Sequence, residues 1–428
     1  MIESASFGNI ETLAARYGTP LVVYSEAQLL HNAAALRQAL PASAALAYSI
    51  KANPNPVVLK TLLENGFMAE AASAGELQLA LTSGANQQRL LLGGPAKTEQ
   101  AIELALSAKI PLIVVESATE LARVNAVAQS TGNDVEVLVR VNPAQLKSSP
   151  ALPMAGFASP FGVDEEALPQ LIKGMQGGAA RYAGLHMYAG SQHFDARDIV
   201  SNTRYLCQLA LALHNKGCPA ARVLDFGGGF GVPADAGQPT LNLTLLREEL
   251  DALYRQEVAE LTRLGLQQTL FESGRYLVSQ AACYVARVLD VKYSRGQRFV
   301  ILDGGINHLG MHQLQYRTSP PSLRVWGRQA STQDEAAIVV GPTCAPIDVT
   351  HDTCKLPVVR VGDLVVIENF GAYTLNFSPL YFCGHPWPAE VWLNSIDNSA
   401  RLVRQRGSIE SACGPGYIAS NLQHCVSP

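Results

Sequence analysis

The chain has 428 residues, of which 48% are hydrophobic and 16% are charged, a balance typical of a globular protein with more than one core. Its formal net charge of −4 argues against binding to nucleic acid or to an anionic membrane surface. No apolar run approaches the ~18 residues that a membrane-spanning helix needs, and the first residues lack the basic and apolar regions of a signal peptide. We therefore expect a cytoplasmic protein.

The eight cysteines form no Cys-x-x-Cys pair. In a long cytoplasmic chain such cysteines are expected to be reduced, and most of them are expected in packing or surface positions. Because the ligand spacing of a zinc site is also missing, the sequence predicts no metal centre.

The predicted elements begin with a helical pattern at residues 8–17 and a strand at residues 20–24. Apolar strands then alternate with amphipathic helices, such as those at residues 74–83 and 118–129. The predicted strands of this region are residues 44–50, 68–72, 90–94, 111–116, 136–141, 182–188, 223–226 and 269–272. Eight strands that alternate with helices predict an α/β fold, a TIM-like (β/α)₈ barrel, in which chemistry takes place at the C-terminal ends of the strands.

Beyond residue 275 the pattern changes to strands with few helices among them. The predicted strands there are residues 283–291, 298–303, 337–340 and 363–368. We therefore predict three parts of the chain: a segment 1–25 whose strand joins the β-domain, a (β/α)₈ barrel over residues 26–280, and a C-terminal β-rich domain over residues 281–428.

Lys51 follows the first predicted barrel strand, in Tyr-Ser-Ile-Lys-Ala-Asn, and is therefore expected at the mouth of the barrel. A buried lysine has a lowered pKa and can form a Schiff base with a carbonyl compound. The alternative is a lysine whose charged end simply reaches solvent at the end of a strand. The lysine by itself does not decide between these two interpretations.

A glycine-rich segment, Asp-Phe-Gly-Gly-Gly-Phe-Gly at residues 225–231, overlaps the end of the seventh predicted strand. Glycines at this point expose backbone N–H groups and let the chain approach a phosphate closely, whereas a flexible turn is the alternative. Four glycines within five positions directly after a barrel strand favour phosphate binding.

Other strand ends carry groups that suit a flat, charged cofactor. Glu272 and Arg275, at the end of the last barrel strand, could hold a pyridinium proton and a phosphate, or could form a local ion pair. His186, in the sixth strand, could stack on a ring, or could be a core histidine with satisfied hydrogen bonds. In the second domain Cys344 could donate a proton and Tyr373 could bind phosphate, although simple burial is the alternative for a cysteine.

Together these motifs resemble the alanine-racemase-like, fold-type III decarboxylases that depend on pyridoxal 5′-phosphate (PLP) and include diaminopimelate, ornithine and arginine decarboxylases. The resemblance covers nearly the whole chain, from Thr-Pro-Leu at residues 19–21 to the segment around Tyr373. Further matching stretches are Ser-Ala-Gly-Glu-Leu at residues 73–77 and Val-Arg-Val-Asn-Pro at residues 139–143. Residues 371–388 are similar to family members of antibiotic pathways that decarboxylate a glutamyl group bound to a carrier protein.

The resemblance implies a role for each residue of these motifs. Lys51 would carry PLP, His186 would stack on its ring, and Glu272 would bind the pyridine nitrogen. Glu70 would lie near the cofactor, where relatives often have an aspartate. The residues implied in phosphate binding are Ser191, Gly227, Gly228, Gly229, Gly274 and Arg275.

Two residues of the second domain would complete the site of another subunit. The resemblance implies that Cys344 and Tyr373 reach the cofactor of the partner chain in a homodimer with shared active sites. Cys344 would then be the third catalytic residue, after Lys51 and His186. It would return a proton to the α-carbon.

The residues implied in contact with the substrate's far end depart from the family pattern. Relatives that act on diaminopimelate or ornithine have an acidic residue directly after the cysteine, where this chain has Ala345. Diaminopimelate decarboxylases have an arginine for the distal carboxylate where this chain has Met311, and their Lys-Phe-Gly is Pro-Phe-Gly at residues 160–162 here. Because the loss of a charged partner in a desolvated site costs about 2–5 kcal/mol, diaminopimelate, ornithine and lysine are poor candidate substrates.

These departures predict decarboxylation of an amino acid whose distal end is acylated, citrylated or linked to a carrier, in siderophore or antibiotic biosynthesis. The expected partners are a second copy of the chain and a small-molecule or carrier-protein-linked substrate. Three alternatives stay open: a diaminopimelate decarboxylase of lysine biosynthesis, a racemase on the same fold, and a non-catalytic PLP-binding regulatory protein. Gly-Pro-Thr-Cys at residues 341–344 disfavours the racemase. The joint presence of the lysine, the cysteine and the β-domain disfavours the regulatory protein.

Overall fold

A computed structural model describes residues 7–146, 148, 150–235, 237–315, 322–328 and 334–408, and for residues 311–315 it describes the backbone alone. The chain divides into two compact units. The β-unit comprises residues 1–29, 234–236 and 279–428, and the barrel unit comprises residues 30–233 and 237–278. Within the ranges described, none of the helices has the length and apolar character that crossing a membrane requires.

The barrel unit contains a closed barrel of eight parallel strands, which confirms the fold predicted from the alternation of strands and helices. From the first to the eighth, its strands are Ala45–Ser49, Met68–Ala71, Leu90–Leu92, Leu112–Val115, Val135–Asn142, Ala180–His186, Val223–Asp225 and Gln268–Ser273. Each strand pairs with the next in chain order, and the eighth pairs with the first, which closes the barrel. Two further short strands, Leu152–Pro153 and Gly190–Ser191, pair with each other, and Val163–Asp164 pairs with the fifth barrel strand.

Helices alternate with the barrel strands, and most begin at a capping side chain. These helices are Glu26–Ala39, Pro56–Glu64, Ala74–Thr82, Glu99–Ser107, Ala118–Thr131, Leu168–Gly174, Ala196–Asn215, Leu243–Leu253, Ala259–Arg263 and Arg275–Val278. The side chains that accept a hydrogen bond from a backbone N–H of the first turn are those of Asn55, Ser73, Thr98, Ser117, Asp195 and Asn242. Such a cap is worth about 1 kcal/mol relative to alanine, so local sequence sets where these helices start.

An apolar cluster forms the core of the barrel. Its buried members are Ala47, Met68, Leu91, Leu112, Val114, Leu138, Ala183, Val223 and Leu270. Burial of one large apolar side chain stabilises the folded state by about 1.5–3 kcal/mol. Because every barrel strand contributes at least one residue to this cluster, its burial stabilises the barrel as a whole. The residues that follow the cluster along the strands are polar, and they form the site described below.

In the part of the β-unit that the structure describes, the strands form a nine-stranded sheet. Its main path runs through the strands Val349–Leu356, Glu335–Val340, Gln297–Leu302, Ala282–Ser294, Leu21–Ser25, Ala389–Leu393 and Ala400–Arg404. The strand Leu364–Ile367 pairs with Ala282–Ser294 and with Leu323–Val325. The helix Ile10–Tyr17 packs its buried residues into the core cluster of this unit, together with buried residues of the strand Leu21–Ser25.

Several elements of the β-unit are absent from the strands and helices predicted from sequence. They are the helix Ile306–Gln315 and the strands Leu323–Val325, Val349–Leu356, Ala389–Leu393 and Ala400–Arg404. The strand Val349–Leu356 carries exposed polar residues between buried ones, and the strand Ala400–Arg404 is largely exposed at the edge of the sheet. These two strands form because neighbouring strands pair with them, and their residues show no alternating apolar pattern. Apolar periodicity in the sequence therefore did not predict them.

Candidate active site

Polar side chains lie at the C-terminal ends of five barrel strands. The apolar core residues of these strands are Met68, Val114, Leu138, Val223 and Leu270. The residues two positions further along are Glu70, Glu116, Arg140, Asp225 and Glu272, and all five are buried. Because side chains alternate between the two faces of a strand, residues two apart face the same way, here into the barrel. The barrel interior is therefore apolar at one end and charged at the end where barrel enzymes carry out chemistry.

Lys51 lies in a single 3₁₀ turn, Ile50–Ala52, directly after the first barrel strand. Its Nζ lies 2.7 Å from Glu70 Oε2, and the Lys51 side chain is 43% exposed whereas that of Glu70 is 4% exposed. The buried carboxylate thus holds the ammonium group at the barrel mouth, where Nζ stays within reach of a ligand from solvent.

His186 and Glu272 lie side by side at the ends of the sixth and eighth strands, with Nε2 of the histidine 3.8 Å from Oε1 of the glutamate. Burial alone would raise the pKa of Glu272, but the neighbouring His186, together with the charges of Lys51 and Arg140, lowers this pKa to about 2. Glu272 is therefore an anion at neutral pH. One atom each of His186, Asp225 and Glu272 lie within 4.8 Å of one another, close enough to hold a metal ion, so the expected absence of a metal centre stays a prediction.

The glycines after the seventh strand are required by close backbone contacts. Gly227 has φ of 62° and Gly229 has φ of 95°, in the left-handed region of backbone conformation that residues other than glycine rarely adopt. A Cβ on Gly228 would lie 2.0 Å from the carbonyl oxygen of Glu272, and a Cβ on Gly229 would lie 2.1 Å from the carbonyl oxygen of Gly190. The loop therefore lies directly against the segments that carry Glu272 and Ser191.

Ser191 and Arg275 meet beside this loop. Arg275 is buried, and its Nε lies 3.5 Å from Ser191 Oγ. Gly274 directly precedes Arg275, and its carbonyl oxygen accepts a hydrogen bond from the N–H of Leu277. The structure thus brings the predicted phosphate ligands of the barrel unit into one neighbourhood, formed by the ends of the sixth, seventh and eighth strands.

Buried polar atoms without a partner mark the same strand ends. Among the residues described, His186 Nδ1, Asp225 Oδ2 and Ser273 Oγ are buried and make no hydrogen bond. Leaving such an atom without a hydrogen bond lowers the free energy of unfolding by about 1–3 kcal/mol. Buried polar atoms of this kind are typical of a site that a ligand completes. The chemistry of the set fits PLP: an accessible lysine amine for its carbonyl group, an anionic carboxylate for its ring nitrogen, and a glycine loop with an arginine for its phosphate.

A buried ion pair is part of this region and was missed from the sequence. Arg140 Nη1 lies 2.9 Å from Glu116 Oε1, and the guanidinium group also lies 4.8 Å from the centre of the Phe161 ring. Glu116 Oε2 accepts a hydrogen bond from the N–H of Gly162 at 3.1 Å, so the pair ties the Pro-Phe-Gly segment to the barrel. The signal that could have revealed it is an arginine inside the otherwise apolar run Val-Leu-Val-Arg-Val.

The other predicted site residues belong to the β-unit. Cys344 is exposed, Ala345 follows it, and Tyr373 has φ of 54°. Met311 lies on the helix Ile306–Gln315, and its side chain is outside the described part of the chain. Asp348 ties this helix to the segment 341–345 around Cys344, called the cysteine loop below. Its Oδ1 accepts from the N–H of Ile306 at 2.6 Å, and its Oδ2 accepts from the N–H of Thr343 at 2.9 Å.

Comparison with known proteins finds relatives along nearly the whole chain. Residues 26–279 match the family described as pyridoxal-dependent decarboxylase, pyridoxal binding domain. The chain is 31% identical over 422 residues to an L-glutamyl-[BtrI acyl-carrier protein] decarboxylase from Niallia circulans, with 97% of this chain and 96% of the relative covered. It is 29% identical over 411 residues to a diaminopimelate decarboxylase from Zymomonas mobilis, with 93% and 92% covered.

Solved structures agree with this relationship. The crystal structure of diaminopimelate decarboxylase from Helicobacter pylori complexed with L-lysine matches with a TM-score of 0.84 at 27% identity, and the match covers 94% of this chain and 98% of that one. The predicted alanine-racemase-like combination of a TIM-like barrel with a β-rich part is thereby confirmed. The chain belongs to the family of pyridoxal-dependent decarboxylases and is a carboxy-lyase whose cofactor is PLP.

Proposed function

We propose that this enzyme decarboxylates an amino acid modified at its distal end by an acyl, citryl or carrier-protein linkage, and that Lys51 carries the PLP. The observation that carries the proposal is the arrangement at the barrel mouth, where Lys51 is paired with Glu70, and Glu272 is an anion beside His186. The proposed pathway is the biosynthesis of a siderophore or an antibiotic. The relative from Niallia circulans supports this pathway class, since its name describes a decarboxylase of a carrier-linked glutamyl group.

Each residue of the site has a defined task in this proposal. PLP, when bound, supplies an electron sink for the electron pair that remains at the α-carbon when CO₂ departs. Lys51 would offer its Nζ as the attachment point, and Glu272 would stabilise a proton on the ring nitrogen through its negative charge. His186 would stack on the ring, and Cys344 would supply from Sγ the proton that takes the place of CO₂. The proposed phosphate ligands are Ser191, Gly227, Gly228, Gly229, Gly274, Arg275 and Tyr373.

The proposal that the distal end of the substrate is modified rests on two neutral residues. Ala345 directly follows Cys344, and Met311 lies on the helix that Asp348 ties to the cysteine loop. Neither residue can pair with a charged group, so a free distal ammonium or carboxylate would lose its ionic partner at these positions. An acyl or carrier linkage removes the charge at these positions, and a citryl linkage replaces a distal ammonium there by an uncharged amide.

A panel of substrates tests this proposal. We predict that free diaminopimelate, ornithine, lysine and arginine have kcat/KM values at least about 10³-fold below that of the best citryl-, acyl- or carrier-linked amino acid, because an unpaired charge costs a few kcal/mol and each ~1.36 kcal/mol is tenfold. The matched control is Ala345→Asp, which should raise kcat/KM for ornithine and lysine. Measured CO₂ release, compared with exchange of the α-proton in deuterated water, separates decarboxylation from racemisation.

The second candidate function is decarboxylation of free diaminopimelate. It is favoured by the diaminopimelate decarboxylases among the relatives, such as the one from Zymomonas mobilis. High efficiency on free diaminopimelate in the same panel would select this function and contradict the assignment from Ala345 and Met311. It would leave the role of Lys51 intact.

We also propose that the active unit is a homodimer whose subunits share active sites. Cys344 and Tyr373 would enter the partner's site. Large apolar side chains near them in sequence are exposed in the single chain, with Ile347 70% exposed and Phe377 59% exposed, which is typical of a surface that another protein covers. The cytoplasmic location stays a prediction, and cell fractionation tests it.

A further inference from the structure

Asp225 lies between two of the proposed cofactor ligands. It ends the seventh barrel strand, and strand pairing places it opposite His186 on the sixth strand and Leu270 on the eighth. Glu272 is two residues beyond Leu270, on the same face. Asp225 is fully buried, and one of its oxygens lies within 4.8 Å of an oxygen of Glu272 and a ring nitrogen of His186.

The two oxygens of Asp225 have different surroundings. Oδ1 accepts a hydrogen bond from the N–H of Gly227 at 2.9 Å and thereby fixes the first turn of the glycine loop, where Gly227 has φ of 62°. Oδ2 is buried and receives no hydrogen bond from any residue that the structure describes. A carboxylic acid fits these surroundings, because its carbonyl oxygen can accept from Gly227 and its hydroxyl can donate to a nearby acceptor such as an oxygen of Glu272.

The surrounding charges favour a proton on Asp225 rather than on Glu272. Two ionised carboxylates this close in a site away from water repel each other, so one of them takes up a proton. His186, Lys51 and Arg140 act on Glu272 and hold its pKa low in spite of burial. Burial, followed by the charges of Glu272 and Glu70, raises the pKa of Asp225 well above its usual range, and the hydrogen bond from Gly227 only partly opposes this.

We propose that Asp225 carries a proton and donates it in a hydrogen bond to Glu272, so that it positions both the carboxylate that faces the ring nitrogen and the glycine loop that holds the phosphate. Asp225 touches no reacting atom and is a positioning residue. This role rests on the proposed function, because it takes Glu272 and the glycine loop as parts of the PLP site.

An asparagine reproduces the protonated acid, since its carbonyl oxygen accepts from Gly227 and its NH₂ group donates to Glu272. We therefore expect Asp225→Asn to keep at least about a tenth of the wild-type kcat/KM and to bind PLP with an affinity within about tenfold of wild type. Asp225→Ala loses both hydrogen bonds and should weaken PLP binding at least about 30-fold. Fluorescence titration of the full-length chain with PLP measures the affinities. An Asn variant as weak as the Ala variant would overturn the proposal, because an ionised aspartate is the group that asparagine cannot replace.

Infrared spectroscopy tests the proton itself without any turnover. The difference spectrum of wild type minus Asp225→Asn, recorded on the full-length protein near neutral pH, should contain the C=O stretch of a protonated carboxylic acid, which shifts in D₂O. The control is Glu120→Gln, which removes a buried carboxylate that lies 3.2 Å from Lys97 Nζ and should remove no such band. A wild-type protein without the band at neutral pH would refute the proposal, even if the Ala variant fails to fold.

The outcomes for this role and for the proposed function are distinguishable. PLP attached to a lysine other than Lys51 would overturn the proposed function while the carboxylic acid band stayed. PLP on Lys51 together with a missing band would overturn the role of Asp225 alone.

Discussion

Lys51 and Lys60 are both lysines with a nearby carboxylate, and their places in the fold separate them. Lys51 Nζ lies 2.7 Å from the buried Glu70 at the end of a barrel strand, whereas Lys60 Nζ lies 3.8 Å from the exposed Glu64 on the helix Pro56–Glu64. A ligand that binds in the barrel can reach the first lysine and not the second. The difference is one of backbone position, since the two side chains have the same chemistry.

We predict that borohydride treatment of the purified enzyme fixes PLP on Lys51 and that Lys51→Ala lowers kcat/KM at least about 10³-fold, because the variant lacks the amine to which the cofactor attaches. Mass spectrometry of the digested protein locates the label. Lys60→Ala is the matched control and should keep both the label and the rate. A label on any other lysine would contradict the cofactor assignment.

At the scale of elements, the helix Ile306–Gln315 was not predicted from the sequence, and buried contacts hold it in place. Its residue His308 is buried, with Nδ1 2.8 Å from the hydroxyl of Tyr284 and Nε2 3.1 Å from the carbonyl oxygen of Pro386. Because a carbonyl oxygen only accepts, Nε2 carries a hydrogen towards Pro386, and the Tyr284 hydroxyl can donate to Nδ1. Burial disfavours the charged form, so the imidazole is neutral in the folded protein at neutral pH.

This neutral histidine makes stability depend on pH. Burial lowers the pKa of His308 from 6.5 to about 3, so between these two values the unfolded state binds more protons than the folded state. The free energy of unfolding therefore falls as pH falls from about 6.5 towards 3. We predict that His308→Gln makes this dependence shallower between pH ~6 and ~4, by up to ~1.4 kcal/mol per pH unit.

Urea unfolding at several pH values measures the slopes. His31, which is exposed on the helix Glu26–Ala39, provides the control, and His31→Gln should leave the slope of the wild type unchanged. Equal slopes for His308→Gln and wild type would show that His308 takes up its proton in the folded state as well.

At the scale of the whole molecule, the two units divide the proposed chemistry. Lys51 belongs to the barrel unit and Cys344 to the β-unit. If the sites are shared between subunits, Lys51→Ala and Cys344→Ala should each be nearly inactive alone. Their mixture should recover up to about a quarter of wild-type activity, because half of the dimers are hybrids and each hybrid has one intact site.

The control for this experiment mixes Lys51→Ala with a chain that carries both substitutions, which can form no intact site and should recover nothing. Native mass spectrometry verifies that subunits have exchanged. Exchange without recovered activity would mean that each chain completes its own site.

Prediction from sequence worked best where local pattern and tertiary role coincide. The barrel strands are continuous apolar runs because they are buried on both faces, so their periodicity alone located them to within a few residues. Lys51, Glu272 and the glycines 227–229 could be predicted as site residues because each occupies a strand end with a residue type that few structural roles require, and their roles stay predictions. The pair Glu116–Arg140 was missed, since the two residues are 24 positions apart and nothing local marks them as partners.

The sequence by itself indicated the barrel and the β-rich region through the periodicity of apolar residues, and the family and its dependence on PLP through the resemblance of its motifs to those of known decarboxylases. Only the tertiary structure decided how the charges at the barrel mouth are distributed. Closure of the barrel brings one atom each of Asp225, Glu272 and His186 within 4.8 Å of one another. At that distance burial and repulsion favour a proton on one of the two carboxyl groups, and the groups around Glu272 favour its ionised form. The distances between residues far apart in the chain are a product of folding, and the protonation of a buried group depends on those distances.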